Sequence, residues 1–272
     1  MVFEILEYQF IQRAIITGIT ISTCTSIIGL FLMLRRFSLF GDAFANVAFG
    51  GIALGLFLKF YAIWTALIAA VISAIALTKL TKHKKISGDA ALGIFCSTGF
   101  AIGILFISLT NTGFSVDIYS VLFGNILLTS MSDMIITVII GLIIISIVLK
   151  IKKQLLYAAF DEEQAEISGW NVNTMNYIFM ILSSITIVMS MRLTGVLLIS
   201  ALVIIPNVTS ILMKQGFRNT MIISVLISVS CTISGIIMSF YFDVAPSATI
   251  VLLAVGVLII TLILKSNGII KK

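Results

Sequence analysis

RRFSLFGDAFANVAFGGIALGLF, from Arg35 to Phe57, is the stretch on which the reading of this chain turns. Two arginines close one apolar run, Asp42 opens the next, and no formal charge follows until Lys59. A carboxylate in or at the mouth of a membrane helix costs about 2.5–3.5 kcal/mol even on the lenient insertion scale, so it normally faces protein, water or an ion. Asn46 follows one helical turn later and shares the face of Asp42. Ala45, Ala48, Gly50, Gly51 and Gly55 permit close backbone approach on neighbouring faces. Two readings stand at this point. Asp42 and Asn46 are a polar pair lining a path through a helix bundle, or Asp42 is a boundary residue capping its helix and the glycines only pack.

Composition sets the class around this stretch. Of 272 residues, 60% are hydrophobic and 10% charged, and the mean hydropathy is +1.22. Soluble domains carry about 25% charged residues, so this is an integral membrane protein. The net charge of +6 comes from basic residues in short loops beside apolar runs. That is the positive-inside pattern, not a phosphate-binding face, and nucleic acid is excluded as a partner. Cys24, Cys96 and Cys231 are odd in number and lie in apolar runs, which argues against a disulfide framework. Glu4 and Glu7 precede the first apolar run with no basic region, so no cleavable leader is expected.

Nine crossings follow from the apolar runs, at about 10–34, 42–58, a third ending near Lys79, 90–109, 134–148, 177–191, 193–213, 220–242 and 249–264. Eight is the alternative, and the count turns on how the first span and the 114–130 segment are assigned. The loop of Lys79, Lys82, His83, Lys84 and Lys85 is the densest basic segment and is placed in the cytoplasm, with His83 solvated. Alternation then puts the N-terminus outside and the C-terminus in the cytoplasm. The fourth span carries a small and polar seam of Gly93, Cys96, Ser97, Thr98, Gly99 and Gly103, read as packing before pore lining. Residues 110–133 carry Asp117 and Asp133 but no lysine or arginine, which fits an external segment with a short or re-entrant helix around SVLFGNILL. Residues 154–176 form the longest polar cytoplasmic stretch. Asp161, Glu162, Glu163 and Glu166 start and line a short helix there, ended by Gly169 in the left-handed cap position. It is a solvated connector or a docking element. The sixth and seventh spans turn outside near Arg192, and Pro206, followed by Asn207, is expected to kink the seventh.

No enzyme chemistry emerges: there is no phosphate loop, nucleophile elbow, cysteine pair or His-Glu-x-x-His. The chain reads as a single transmembrane domain, 1–272, so pumping would draw on an ion gradient or a separate ATPase. Gradient-driven carriers often bury several ionisable groups and show related halves. Asp42 is nearly the only buried carboxylate candidate, which favours an external motor.

In order along the chain stand LRRFSLFGDAFANVAFGGIALG, ISGDAALGIFCSTGFAIGILF, SVLFGNIL, AAFDEEQAEISGWNV, RLTGVLLISALVIIPNVTS and APSATIVLLAV. Their ordered combination resembles the membrane permease of the ABC transporters that import zinc, manganese or iron. The resemblance implies an all-α polytopic bundle like that of type II ABC importers, multi-pass in the plasma membrane. It implies no resident cofactor, a second permease copy, a cytoplasmic ATPase dimer carrying ATP, and an external metal-binding protein. It makes 160–169 the coupling helix, with Asp161, Glu162, Glu163 and Glu166 at a cleft rim and Phe160 and Ala165 as buried contacts. In that family the pattern at Asp42 is Gly-Asp-x-x-x-His, with the aspartate and histidine as intramembrane metal contacts. Here Gly41 and Asp42 are kept but Asn46 replaces the histidine. Carboxylate plus amide oxygen is a harder donor set, favouring manganese, magnesium or calcium, so the ion is manganese, or zinc passes through a looser site, or the change marks another substrate or lost transport. The alternatives are a gradient-driven carrier or channel, a non-transporting scaffold, and an ABC permease for iron chelates.

Overall fold

The computed structural model describes residues 8–82, 87–110, 122–124, 126 and 129–267; for residues 162, 163, 192, 193 and 197 it describes the backbone alone. His83, Asp117 and most of the 114–130 segment lie outside the described residues, as do Lys271 and Lys272. The described part is a helix bundle: α1 Gln9–Leu34, α2 Phe40–Phe57, α3 Ala62–Lys82, α4 Gly88–Leu109, α5 Met131–Phe160, α6 Glu162–Ile167, α7 Val172–Leu212, α8 Phe217–Phe242 and α9 Pro246–Ser266.

Among the described residues, eight stretches are long and apolar enough to cross a membrane, with Val172–Met191 of α7 as one of them. The expected span at 193–213 is the shorter apolar helix Leu198–Leu212. At 1.5 Å per residue it reaches roughly 22 Å, short of a ~30 Å hydrocarbon core. The fifth span is longer than its apolar run suggested. α5 continues through Lys150, Lys152 and Lys153 to Phe160, because a helix carries its own backbone hydrogen bonds out of the membrane.

α1 is the ruler against which the other helices can be placed. Ser26 Oγ donates to Ser224 Oγ at 2.8 Å and Ser228 Oγ donates to the Ser22 carbonyl at 3.2 Å, so α8 runs antiparallel to it. The first arm of α7 sets Phe179 edge-on to Phe31, and Thr186 and Ser190 border a small cavity with Thr20 and Cys24. The second arm comes back: Val203 and Asn207 press on Gly29, where a Cβ would lie 2.6 Å from the Val203 carbonyl and 2.4 Å from Asn207 Nδ2. α7 is therefore a hairpin. Its one non-helical residue is Gly195 (φ 71°, ψ 172°), three residues past the expected turn at Arg192.

Pro206 lies inside the second arm, and the residue of α7 with non-helical dihedrals is Gly195. Beside the proline, Asn207 Nδ2 donates to the Val203 carbonyl at 2.7 Å and Asn207 Oδ1 accepts from Ser224 Oγ at 2.6 Å. Asn207, Ser224 and Ser26 are fully buried, so α1, α8 and the second arm share one satisfied polar chain. Such bonds matter in lipid, where apolar contact alone gives neighbouring helices little reason to associate.

α1 and α2 are 72% buried along their apolar windows, whereas α5 and α9 are 22% buried. The outer helices turn Ile, Leu and Phe outward, as a lipid-facing shell does. α2 sits within a clasp. Gly51 and Gly55 meet Ala66 and Ala62 of the antiparallel α3, while Gly50 lies on the Gly99 carbonyl of the parallel α4. A Cβ on Gly99 would fall 2.6 Å from the Val47 nitrogen, so this crossing is backbone on backbone. These pairings collect Arg35, Arg36, Lys79, Lys82, Lys150, Lys152, Lys153, Lys214, Arg218 and Lys265 at one end of the bundle.

Candidate functional site

The site begins with the turn between α1 and α2. Arg36 takes φ 62°, the left-handed position that ends helices, and Phe37 N–H returns to the Leu32 carbonyl at 2.9 Å. The Arg35 guanidinium lies 4.9 Å over the Phe179 ring and donates to Asn176 Oδ1 at 2.6 Å, tying the turn to the first arm of α7. α2 then starts at Phe40, whose ring stacks on Phe44 inside the core.

Asp42 falls in the first turn of α2, where the helix dipole favours a negative charge. It is not the cap. Leu39 holds that position and makes no side-chain capping bond. The half-buried carboxylate instead accepts a hydrogen bond from Ser200 Oγ on the second arm of α7. Gly41 makes this approach possible, since a Cβ there would stand 3.0 Å from the Ser200 Cα. The carboxylate is thus engaged by a neighbouring helix rather than by the N-terminus of its own.

Asn46, also half-buried, donates from Nδ2 to Cys96 Sγ of α4 at 3.0 Å. Three helices that are distant in sequence thus converge: α2 brings Asp42 and Asn46, α4 brings Cys96, and α7 brings Ser200. Sequence reasoning found the first two. It read Cys96 as part of a packing seam and passed over Ser200, which has no spacing signal because its register depends on Gly195. Among the described residues no group of three or more His, Cys, Asp or Glu could hold a metal ion.

The second candidate region lies at the basic end. α6 is a six-residue helix whose N-cap, Asp161, accepts the Gln164 N–H at 3.0 Å through Oδ1, and Gly169 leaves it at φ 83° as expected. Ala165, expected at a partner contact, is 1% exposed and packs within the chain against Ala158 and Val172. A helix this short can face the bundle with only one or two residues, and the alanine is the one that fits. Phe160 at 77% and Ile167 at 87% exposure are the apolar side chains left facing outward, and Ile167 was missed from sequence. Asp161 and Glu166 are exposed; the side chains of Glu162 and Glu163 lie outside the described residues.

The chain is 32% identical over 250 residues to the manganese transport system membrane protein MntC of Listeria monocytogenes, covering 92% of this chain and 89% of that protein. It is 29% identical over 255 residues to the high-affinity zinc uptake system membrane protein ZnuB of Haemophilus influenzae, covering 94% and 97%. Among solved structures, PsaBC from Streptococcus pneumoniae in complex with Fab superposes with a TM-score of 0.84 at 31% identity, covering 96% of this chain and 95% of that one. An inward-facing metal-chelate type ABC transporter shares the fold at 16% identity and a TM-score of 0.70. The model of the ABC 3 transport family matches residues 7–265, and the chain belongs to that family.

Proposed function

We propose that this chain is the path-forming permease of an ATP-driven importer for a divalent transition-metal ion, manganese or zinc. The observation that carries this is the half-buried Asp42 carboxylate set between α2 and the second arm of α7, bonded to Ser200, with the half-buried Asn46 one turn along the same face. An uncompensated carboxylate is costly there, and a transiting cation repays that cost. The relatives' names, which speak of manganese and zinc transport, support the same substrate class. The collected lysines and arginines support a cytoplasmic basic end, with the N-terminal end of α1 outside and the C-terminal end of α9 inside. A second copy would surround the path and double the donor set. A separate ATPase dimer would act on α6 from the cytoplasm, and an external metal-binding protein would deliver the ion.

The test is uptake into proteoliposomes holding this chain and its candidate ATPase, with the binding protein outside. Manganese and zinc are compared with and without ATP. ATP-dependent entry of one ion is the expected result. Entry driven by membrane potential without ATP would replace this reading with a gradient-driven carrier.

The coupling assignment has its own test. Phe160 and Ile167 flank α6 as exposed apolar anchors, the kind of residue that dominates a docking interface. Replacing both with alanine is expected to weaken ATPase association at least about tenfold. Co-purification and ATP-dependent uptake both read this. Undiminished association and coupling would assign α6 to a solvated connector.

A further inference from the structure

We propose that Cys96 is a further metal contact of the transit site, a sulfur donor beside the Asp42 carboxylate and the Asn46 amide. This rests on the importer reading above and adds to it a residue from a different helix.

The thiol is one of four potential donors from three helices, beside the Asp42 carboxylate, the Asn46 amide and the Ser200 hydroxyl. Asn46 and Cys96 touch at 3.0 Å, and Asn46 stands one turn above Asp42 on the same face of α2. The contact is held from below. Gly99, one turn along α4 from Cys96, lies against the α2 backbone so closely that a Cβ would meet the Val47 nitrogen at 2.6 Å and the Asn46 carbonyl carbon at 2.8 Å. With both helices fixed backbone to backbone, the thiol cannot drift from the amide by more than a rotamer change. An amide N–H pointed at sulfur is a weak bond, because a thiol is a poor acceptor. Rotation of the Asn46 amide turns its oxygen toward the same space at little loss. Cys96 is half-buried, while Cys24 and Cys231 are buried.

The chemistry changes the metal preference. Carboxylate and amide oxygen alone favour manganese, magnesium or calcium. One sulfur moves the set toward zinc, iron or cadmium while leaving manganese an oxygen-rich choice. On binding such an ion the thiol loses its proton to water and sulfur becomes the ligand; when the ion moves on, a proton returns.

The experiment labels the assembled transporter in proteoliposomes with N-ethylmaleimide and follows the Cys96 peptide by mass spectrometry, with Zn²⁺, Cd²⁺, Mn²⁺ or no ion present. Zn²⁺ and Cd²⁺ are expected to slow labelling of Cys96 at least about tenfold, Mn²⁺ less, and Asp42→Asn to remove the protection. Cys96→Ser is expected to lower zinc uptake about tenfold relative to manganese uptake. Labelling that no ion slows overturns the proposal, and so does protection that persists unchanged in Asp42→Asn, which shows binding to the thiol alone. Wild-type uptake is measured in parallel. If it is absent with ATP, the importer reading fails on that arm, whereas the Cys96 contact is decided by the labelling.

Discussion

Asp42→Asn is expected to reduce ATP-driven metal uptake on the order of a hundredfold, the upper end of what loss of a supporting group does at a metal site. The substitution is nearly isosteric. Its side-chain oxygen still accepts from Ser200 Oγ, and its position in the first turn of α2 demands no charge for the helix to form. The negative charge alone is lost, and in the proposed transit site that charge would hold the cation between helices where water is scarce. Folding and ATPase association should therefore be unchanged, which separates transit from stability. Uptake at the wild-type rate would return Asp42 to the role of a boundary residue and move the path elsewhere.

Gly195→Ala is expected to damage the protein more than any other single methyl group. At φ 71° and ψ 172° the backbone occupies a region that is essentially glycine-only. The added Cβ would lie 2.3 Å from the Leu122 carbonyl oxygen, 2.5 Å from the Gly124 nitrogen and 2.5 Å from the Phe123 carbonyl carbon. All three are backbone atoms, so no rotamer change relieves the overlap. Strain of about 3 kcal/mol is expected before the clash is counted. With about 2–4 °C of melting temperature per kcal/mol in chains of comparable size, the loss is at least about 6 °C in a thermal melt of the detergent-solubilised protein. Function should fall with it, because the reversal at Gly195 sets where Ser200 stands against Asp42. Gly93→Ala, where a Cβ meets nothing within 4 Å, is the control and should melt like wild type. A Gly195→Ala protein that melts and transports normally would show that another residue makes the hairpin.

The polar chain through Asn207 shows how the two sites of α7 are joined. Ser200 and Asn207 lie two turns apart on one arm, the first facing Asp42 and the second bonded to Ser224 of α8. Because Ser224 also accepts from Ser26, the register of the arm is set by α1 and α8 together. The carboxylate's partner is thus placed by residues that never touch it.

Much of this molecule could be read from composition alone. Apolar runs near the length of a bilayer, with lysines and arginines gathered in alternate loops, determine a helical membrane protein and the order of its spans, because lipid admits no other use of such runs. The i, i+4 spacing of Asp42 and Asn46 determines that they share a face, and the acidic run before Gly169 determines a short capped helix. Tertiary structure alone decided the rest. That Asp42 faces Ser200, that Cys96 stands at Asn46, and that Ala165 turns inward while Ile167 turns out all depend on helix rotation and crossing. Those are set by glycine contacts and buried hydroxyl bonds between segments 50 to 200 residues apart. A uniformly apolar helix has no strong polar face to announce its orientation, so its sequence says that it crosses and its neighbours decide which way it looks.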